Sequence, residues 1–138
     1  MPCELCDTPG GELIWQDDLC RVVRVNDPDY PGFCRVILNR HTKEMADLSL
    51  ADRQKLMHVV FSVEQVLTSM MCPDKINLAS LGNVVPHLHW HVIPRFADDA
   101  HFPQPIWAAP ARVGSRRAAP DWGALRITLD ELLQTSYD

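Results

Sequence analysis

Residues 87 to 94 read His-Leu-His-Trp-His-Val-Ile-Pro, an alternation that gathers three of the chain's six histidines in one strip. Successive strand residues point to opposite faces, so His87, His89 and His91 are expected on one face while Leu88, Trp90 and Val92 enter the core. At a rise of about 3.3 Å per residue, each outer Cα lies about 6.6 Å from the middle one, and the outer two lie about 13 Å apart. So regular an alternation argues against a solvent-facing strip that merely happens to carry histidines. One ion held by all three would need nitrogens at about 2.0–2.1 Å from the metal, which the outer pair of a straight strand cannot supply, although two neighbours could share an ion. The remaining reading is nucleophilic: the middle imidazole attacks and its neighbours hold the anionic groups of the substrate. Histidine suits this chemistry because much of it is neutral near pH 7 and it leaves readily once bound to phosphorus.

A second cluster is Cys3-Glu-Leu-Cys6, whose spacing is that of half a zinc knuckle. A closed zinc site needs four ligands, and no second Cys-x-x-Cys pair follows. Two readings stay open, a metal half-site and a frayed terminus carrying two inert thiols. The other cysteines, Cys20, Cys34 and Cys72, sit in apolar segments and read as buried thiols; an odd total of five does not suggest a disulfide framework.

The elements that must position these residues follow from local pattern. Residues 12 to 26 give two β-rich runs around Asp17-Asp18, a hairpin. Turn formers fill Asn26 to Gly32, and Phe33 to Leu38 makes a third strand. Ser49, with Asp52 three residues on, opens a helix over 50–71 in which Leu56, Val59, Val60, Val63, Val66, Leu67 and Met70 recur at helical spacing. Met57 and Phe61 widen that stripe beyond what one sheet needs, leaving surface that another subunit could use. Pro73 stops the helix, Lys75 to Ala79 forms a fourth strand, and 84–94 a fifth. Beyond Arg95, prolines at 103, 105, 110 and 120 imply a loop wrapped over the domain or partly disordered, with a short helix over 125–133. The expected class is α+β: an antiparallel sheet of about five strands, one long helix and a short C-terminal helix.

At 138 residues the chain matches one domain, divided as 1–96 carrying the motifs and 97–138, an irregular Pro-rich segment packed on it. A net charge of −5 excludes the broad basic face that polymeric nucleic acid requires; the one basic cluster, Arg112, Arg116 and Arg117, reads as a solvated loop. No apolar run approaches the roughly 20 residues of a membrane span. The start, Met-Pro-Cys-Glu-Leu-Cys, has neither a basic n-region nor an apolar h-region, so a reducing cytoplasm is the expected compartment.

His87-Leu-His89-Trp-His91-Val-Ile resembles in full the histidine-triad (HIT) motif of alternating His and apolar residues closed by two apolar positions. The order of elements over roughly residues 12 to 96 is similar as well. Asn26 before a Pro-Gly turn, the strand Val36-Ile-Leu-Asn-Arg-His41, and Gly82-Asn83-Val-Val-Pro-His87 resemble the family's nucleotide pocket and its Gly-Gln-Ser/Thr-Val-x-His lead-in. The resemblance, nearest to the bacterial diadenosine polyphosphate hydrolase-like branch, implies a homodimer that cleaves nucleotides at the α-phosphate through a nucleotidyl-histidine. By position, His89 is the nucleophile, His87 and His91 bind the phosphate, and Asn26, Asn77 and Asn83 meet the nucleotide. It further implies that His41 and His87 complete the Cys3 and Cys6 pair around a structural zinc, with no organic cofactor. Two departures weaken the analogy with phosphoramidases: Val84 stands where a hydroxyl is usual and Phe33 where an additional histidine is often found. The implied substrates are dinucleoside polyphosphates such as diadenosine tetraphosphate. A phosphoramidase, a nucleotidyl transferase and a non-catalytic nucleotide sensor are the rivals. His101 and Trp107 are candidates to close over the base or leaving group.

Overall fold

The computed structural model describes residues 2–137. Five strands form one antiparallel sheet, β1 (Glu12–Gln16), β2 (Cys20–Arg24), β3 (Cys34–Leu38), β4 (Lys75–Ala79) and β5 (His89–Arg95), in the order β1-β2-β3-β5-β4. Three α-helices accompany it among the described residues, a single turn α1 (Glu4–Asp7), the long α2 (Leu50–Met71) and α3 (Trp122–Tyr137), with a 3-10 turn at Met45–Asp47. The expected α+β class and five-strand sheet are present.

Local chemistry explains the elements. The β1–β2 turn is made by Asp17, whose Oδ1 accepts from the amides of Leu19 and Cys20, both at 2.9 Å. Ser49 caps α2 by accepting from the Asp52 amide at 3.1 Å. The helix ends where Cys72 turns left-handed, φ 48°, ahead of Pro73.

Alternation along the strands divides the sheet into two faces. Cys20 and Val22 of β2, Cys34, Val36 and Leu38 of β3, and Val92 of β5 turn to the helices, where they meet Leu56, Val59, Val60, Val63 and Leu67 of α2. Leu125, Leu129 and Leu133 of α3 join the same core at helical spacing, and α3 packs on both α2 and β1. The opposite face carries Arg35, Ile37, His89 and His91, paired across β3 and β5 as Ile37 with His89 and Arg35 with His91. The site is therefore built on the sheet face that α2 and α3 do not cover.

Two expected boundaries are corrected. The fifth strand begins at His89 and not at residue 84, because the backbone before it bonds elsewhere: the Leu88 amide donates to the Thr42 carbonyl at 2.8 Å. His87 thus precedes the strand; Leu88 enters the core, and the His87 ring turns the other way, toward Cys3, which packs beside Ile37 on the His89 side of the sheet. The short helix expected over 125–133 is a 16-residue helix, started by Asp121, whose carboxylate accepts from the Ala124 amide at 3.0 Å.

The stretch after β5 is ordered by one carboxylate. Asp99 pairs with Arg95 at 2.8 and 3.0 Å and accepts from the amides of Phe96, His101 and Phe102. Burial opposes the charge on Asp99, but Arg95 and these amides hold its carboxyl well below the usual carboxylate range. The Tyr30 hydroxyl also reaches Asp99 and the ring of His101.

Candidate active site and metal centre

His89 and His91 stand on the same face of β5, their rings 5.0 Å apart and nearly perpendicular. His89 Nδ1 donates to the main-chain carbonyl of His87 at 2.5 Å. A carbonyl can only accept, so the proton of the neutral ring sits on Nδ1 and the lone pair on Nε2. Ser80 Oγ donates to the His89 carbonyl at 2.7 Å, tying the start of the strand to the end of β4.

A cavity of about 360 Å³ adjoins the two rings. Its far wall is the loop of Leu81, Gly82, Asn83, Val84 and Val85, and its remaining lining is Arg35 and Trp107. Gly82 has φ +72°, the left-handed conformation that lets this loop fold back over the site. Trp107, half-exposed, lies edge-on to His91 with ring centroids 5.0 Å apart. Phe33 flanks His91 from below the cavity at 5.7 Å. Burial, then the neighbouring His89 and Arg35 charges, push His91 down to about 4, so it is neutral at pH 7.

His87 belongs to a second cluster. Its Nδ1 lies 3.3 Å from Cys3 Sγ and 3.5 Å from Cys6 Sγ, and Cys6 Sγ is 3.5 Å from His41 Nδ1. The ligand atoms of Cys3, Cys6, His41 and His87 all lie within 4.8 Å of one another. Tetrahedral zinc with thiolate and imidazole ligands separates sulfur and nitrogen by about 3.5 Å, so the four residues fit such an ion. His87 Nε2 donates to the Leu38 carbonyl at 2.6 Å, the outer contact that fixes a metal-binding imidazole. Burial lowers the pKa of this fully buried ring and favours its neutral, ligating form. Arg21 anchors the cysteine turn by donating to the carbonyls of Leu5 and Pro9 at 2.6 and 2.9 Å.

Of the residues singled out from sequence, His89, His91, Asn83 and Trp107 meet at the cavity, and Cys3, Cys6, His41 and His87 meet in one Cys/His cluster that could hold a metal. The His87 ring, expected to bind phosphate, has one nitrogen at the thiols and the other at the Leu38 carbonyl. Asn26 lines a separate hollow with Arg24, Arg117 and Trp122. Asn77 accepts from Arg95 Nη1 at 2.7 Å and is not in the cavity lining. Sequence reasoning missed Arg35. The signal was a lone charge in the apolar run of β3, but only the strand register places it opposite His91.

The HIT domain family model matches residues 10–98, and the chain belongs to that family. A protein of Mycobacterium tuberculosis named AP-4-A phosphorylase is 30% identical over 81 residues, covering 54% of this chain and 42% of that protein. An asymmetrical bis(5'-nucleosyl)-tetraphosphatase of Schizosaccharomyces pombe is 28% identical over 91 residues, covering 62% of this chain and 50% of that protein. The chain spans about half the length of these curated relatives. A histidine triad protein of Bradyrhizobium japonicum superimposes with a TM-score of 0.70 at 28% identity, covering 88% of this chain and 91% of that one. Among the described residues, no helix is long and apolar enough to cross a membrane.

Proposed function

We propose that the chain hydrolyses dinucleoside polyphosphates of the diadenosine tetraphosphate type at the α-phosphate. The observation that carries this reading is the His89 hydrogen bond to the His87 carbonyl, which commits the lone pair to Nε2. In the first step Nε2 forms a bond to the α-phosphorus as the bond from phosphorus to the bridging oxygen breaks, and the departing phosphate chain takes the electron pair. The ring acquires positive charge, and the His87 carbonyl at Nδ1–H stabilises it. In the second step water adds to phosphorus, the phosphorus–nitrogen bond returns its pair to Nε2, and the water proton passes to solvent. One hard displacement becomes two easier ones.

His91 and Asn83 contact the phosphate in this reading, and Trp107 packs on the base or leaving group. Asn26 and Asn77 are assigned no contact, since neither lines that cavity. A structural zinc held by Cys3, Cys6, His41 and His87 would fix the strand that presents His89. A homodimer formed through α2 and a cytoplasmic location, where the thiols stay reduced, complete the proposal. Exposed Phe61 on α2 supports the dimer.

A transfer reaction, in which inorganic phosphate replaces water as acceptor, is the second reading; the phosphorylase name of the mycobacterial relative favours it. Incubation with diadenosine tetraphosphate with and without added phosphate separates the two. Hydrolysis gives AMP and ATP in either condition, whereas transfer gives ADP and ATP and requires phosphate. Absence of turnover in both would refute both.

A further inference from the structure

The cavity beside His89 is lined by a cation, Arg35, that has no carboxylate partner among the described residues. Arg35 stands on β3 opposite His91 of β5 and lines the cavity. Its Nη1 donates to the Gly10 carbonyl at 3.3 Å and its guanidinium lies 5.8 Å from the Phe33 ring centre. Its Nε is buried without a hydrogen-bond partner, and so is His91 Nδ1, the ring nitrogen of the residue across the strand pair. Such orphaned buried groups are rare in native interiors and mark places that something else satisfies. Among the described residues no carboxylate forms a salt bridge with Arg35; Glu4 acts on it only at a distance. No acidic side chain lines the cavity.

We propose that Arg35 is a binding residue for the phosphate oxygens of the nucleotide and supplies the fixed positive charge of this site. Guanidinium is suited to such a role because it stays cationic, presents a planar fork, and donates to phosphate oxygens in pairs. The Phe33 ring and the Gly10 carbonyl both meet the guanidinium, so part of its freedom is already lost before binding. The inference rests on the nucleotide reading above, and it assigns the recognition of charge to a strand that the histidine motif does not include.

The test compares AMP with adenosine by titration calorimetry on the full chain, in wild type, Arg35→Met and Arg35→Gln, with thermal melts to verify folding. The two substitutions remove the charge while keeping a stem of similar length, so if one fails to fold the other is read in the same way. Loss of a charge-assisted hydrogen bond weakens AMP binding about 10- to 100-fold, while adenosine binding stays within about twofold. Equal weakening of both ligands, or unchanged AMP affinity, overturns the proposal. A GMP arm covers the nucleobase: altered discrimination between AMP and GMP with phosphate preference intact assigns Arg35 to the base and likewise overturns it. Neither ligand is cleaved, so the outcome stands apart from whether dinucleoside polyphosphates are hydrolysed.

Discussion

His87 and His89 are joined through one carbonyl: the ring of His87 sits against Cys3 and Cys6, while its main-chain oxygen accepts from His89 Nδ1 at 2.5 Å. The Cys/His cluster and the proposed nucleophile therefore share a residue without sharing a ligand atom. Purified protein should carry about one zinc per chain, with the ion's binding energy adding to stability. A Cys3→Ser, Cys6→Ser double variant should lose the metal, melt at lower temperature and turn over roughly tenfold more slowly, the scale typical of losing an outer support. Metal analysis of fresh protein without chelators that finds no zinc contradicts this. Complete loss of chemistry with the fold intact would assign the metal a catalytic role instead.

The Arg95–Asp99 pair is buried on both sides. Asp99→Asn leaves the guanidinium without its counter-charge and should cost about 3–5 kcal/mol, measured by urea unfolding at pH 7. Because the folded carboxyl titrates well below its ordinary 3.8, its contribution is present above that pH and is lost as pH falls below it. The urea midpoint of the wild type should fall steeply below about pH 4, and the Asn variant should lack that part of the slope. Identical acid limbs would contradict the assignment.

Trp107 is read by point substitution, because Leu125, Leu129 and Leu133 are core residues and removal of 97–138 would strip them from α2. Trp107→Ala should weaken AMP and adenosine alike by about tenfold, the scale of losing one aromatic stack. Unchanged binding in calorimetry would make Trp107 an anchor of its loop and nothing more.

On α2, Phe61 is 52% exposed. Sedimentation at micromolar concentration should give a dimer, and Phe61→Asp should shift it to monomer. A monomeric wild type contradicts the proposed assembly.

What could be read from sequence was what local chemistry dictates. The alternation of Leu88, Trp90 and Val92 placed the sheet's core face, and Ser49 and Pro73 bounded α2 within a residue or two. The start of β5 was misplaced because Val84 and Val85 have strand-like side chains, yet this segment serves as a cavity wall. The length of α3 was underestimated because Pro120 and Gly123 interrupt the periodic pattern around its start, which the structure shows capped by Asp121. Arg35, a visible lone charge in an apolar run, was missed for a different reason: its meaning depends on strand register, a long-range quantity that composition and spacing do not encode.

The proposed chemistry stands on His89 as a covalent nucleophile. Enzyme mixed rapidly with diadenosine tetraphosphate and quenched in base or denaturant, which spares the acid-labile phosphorus–nitrogen bond, should yield a nucleotidylated peptide spanning residues 87 to 95 by mass spectrometry. His89→Asn should lose the adduct and orders of magnitude in turnover while retaining most nucleotide binding. An active enzyme from which no such peptide can be trapped, or a His89→Asn variant with near-native turnover, would contradict it.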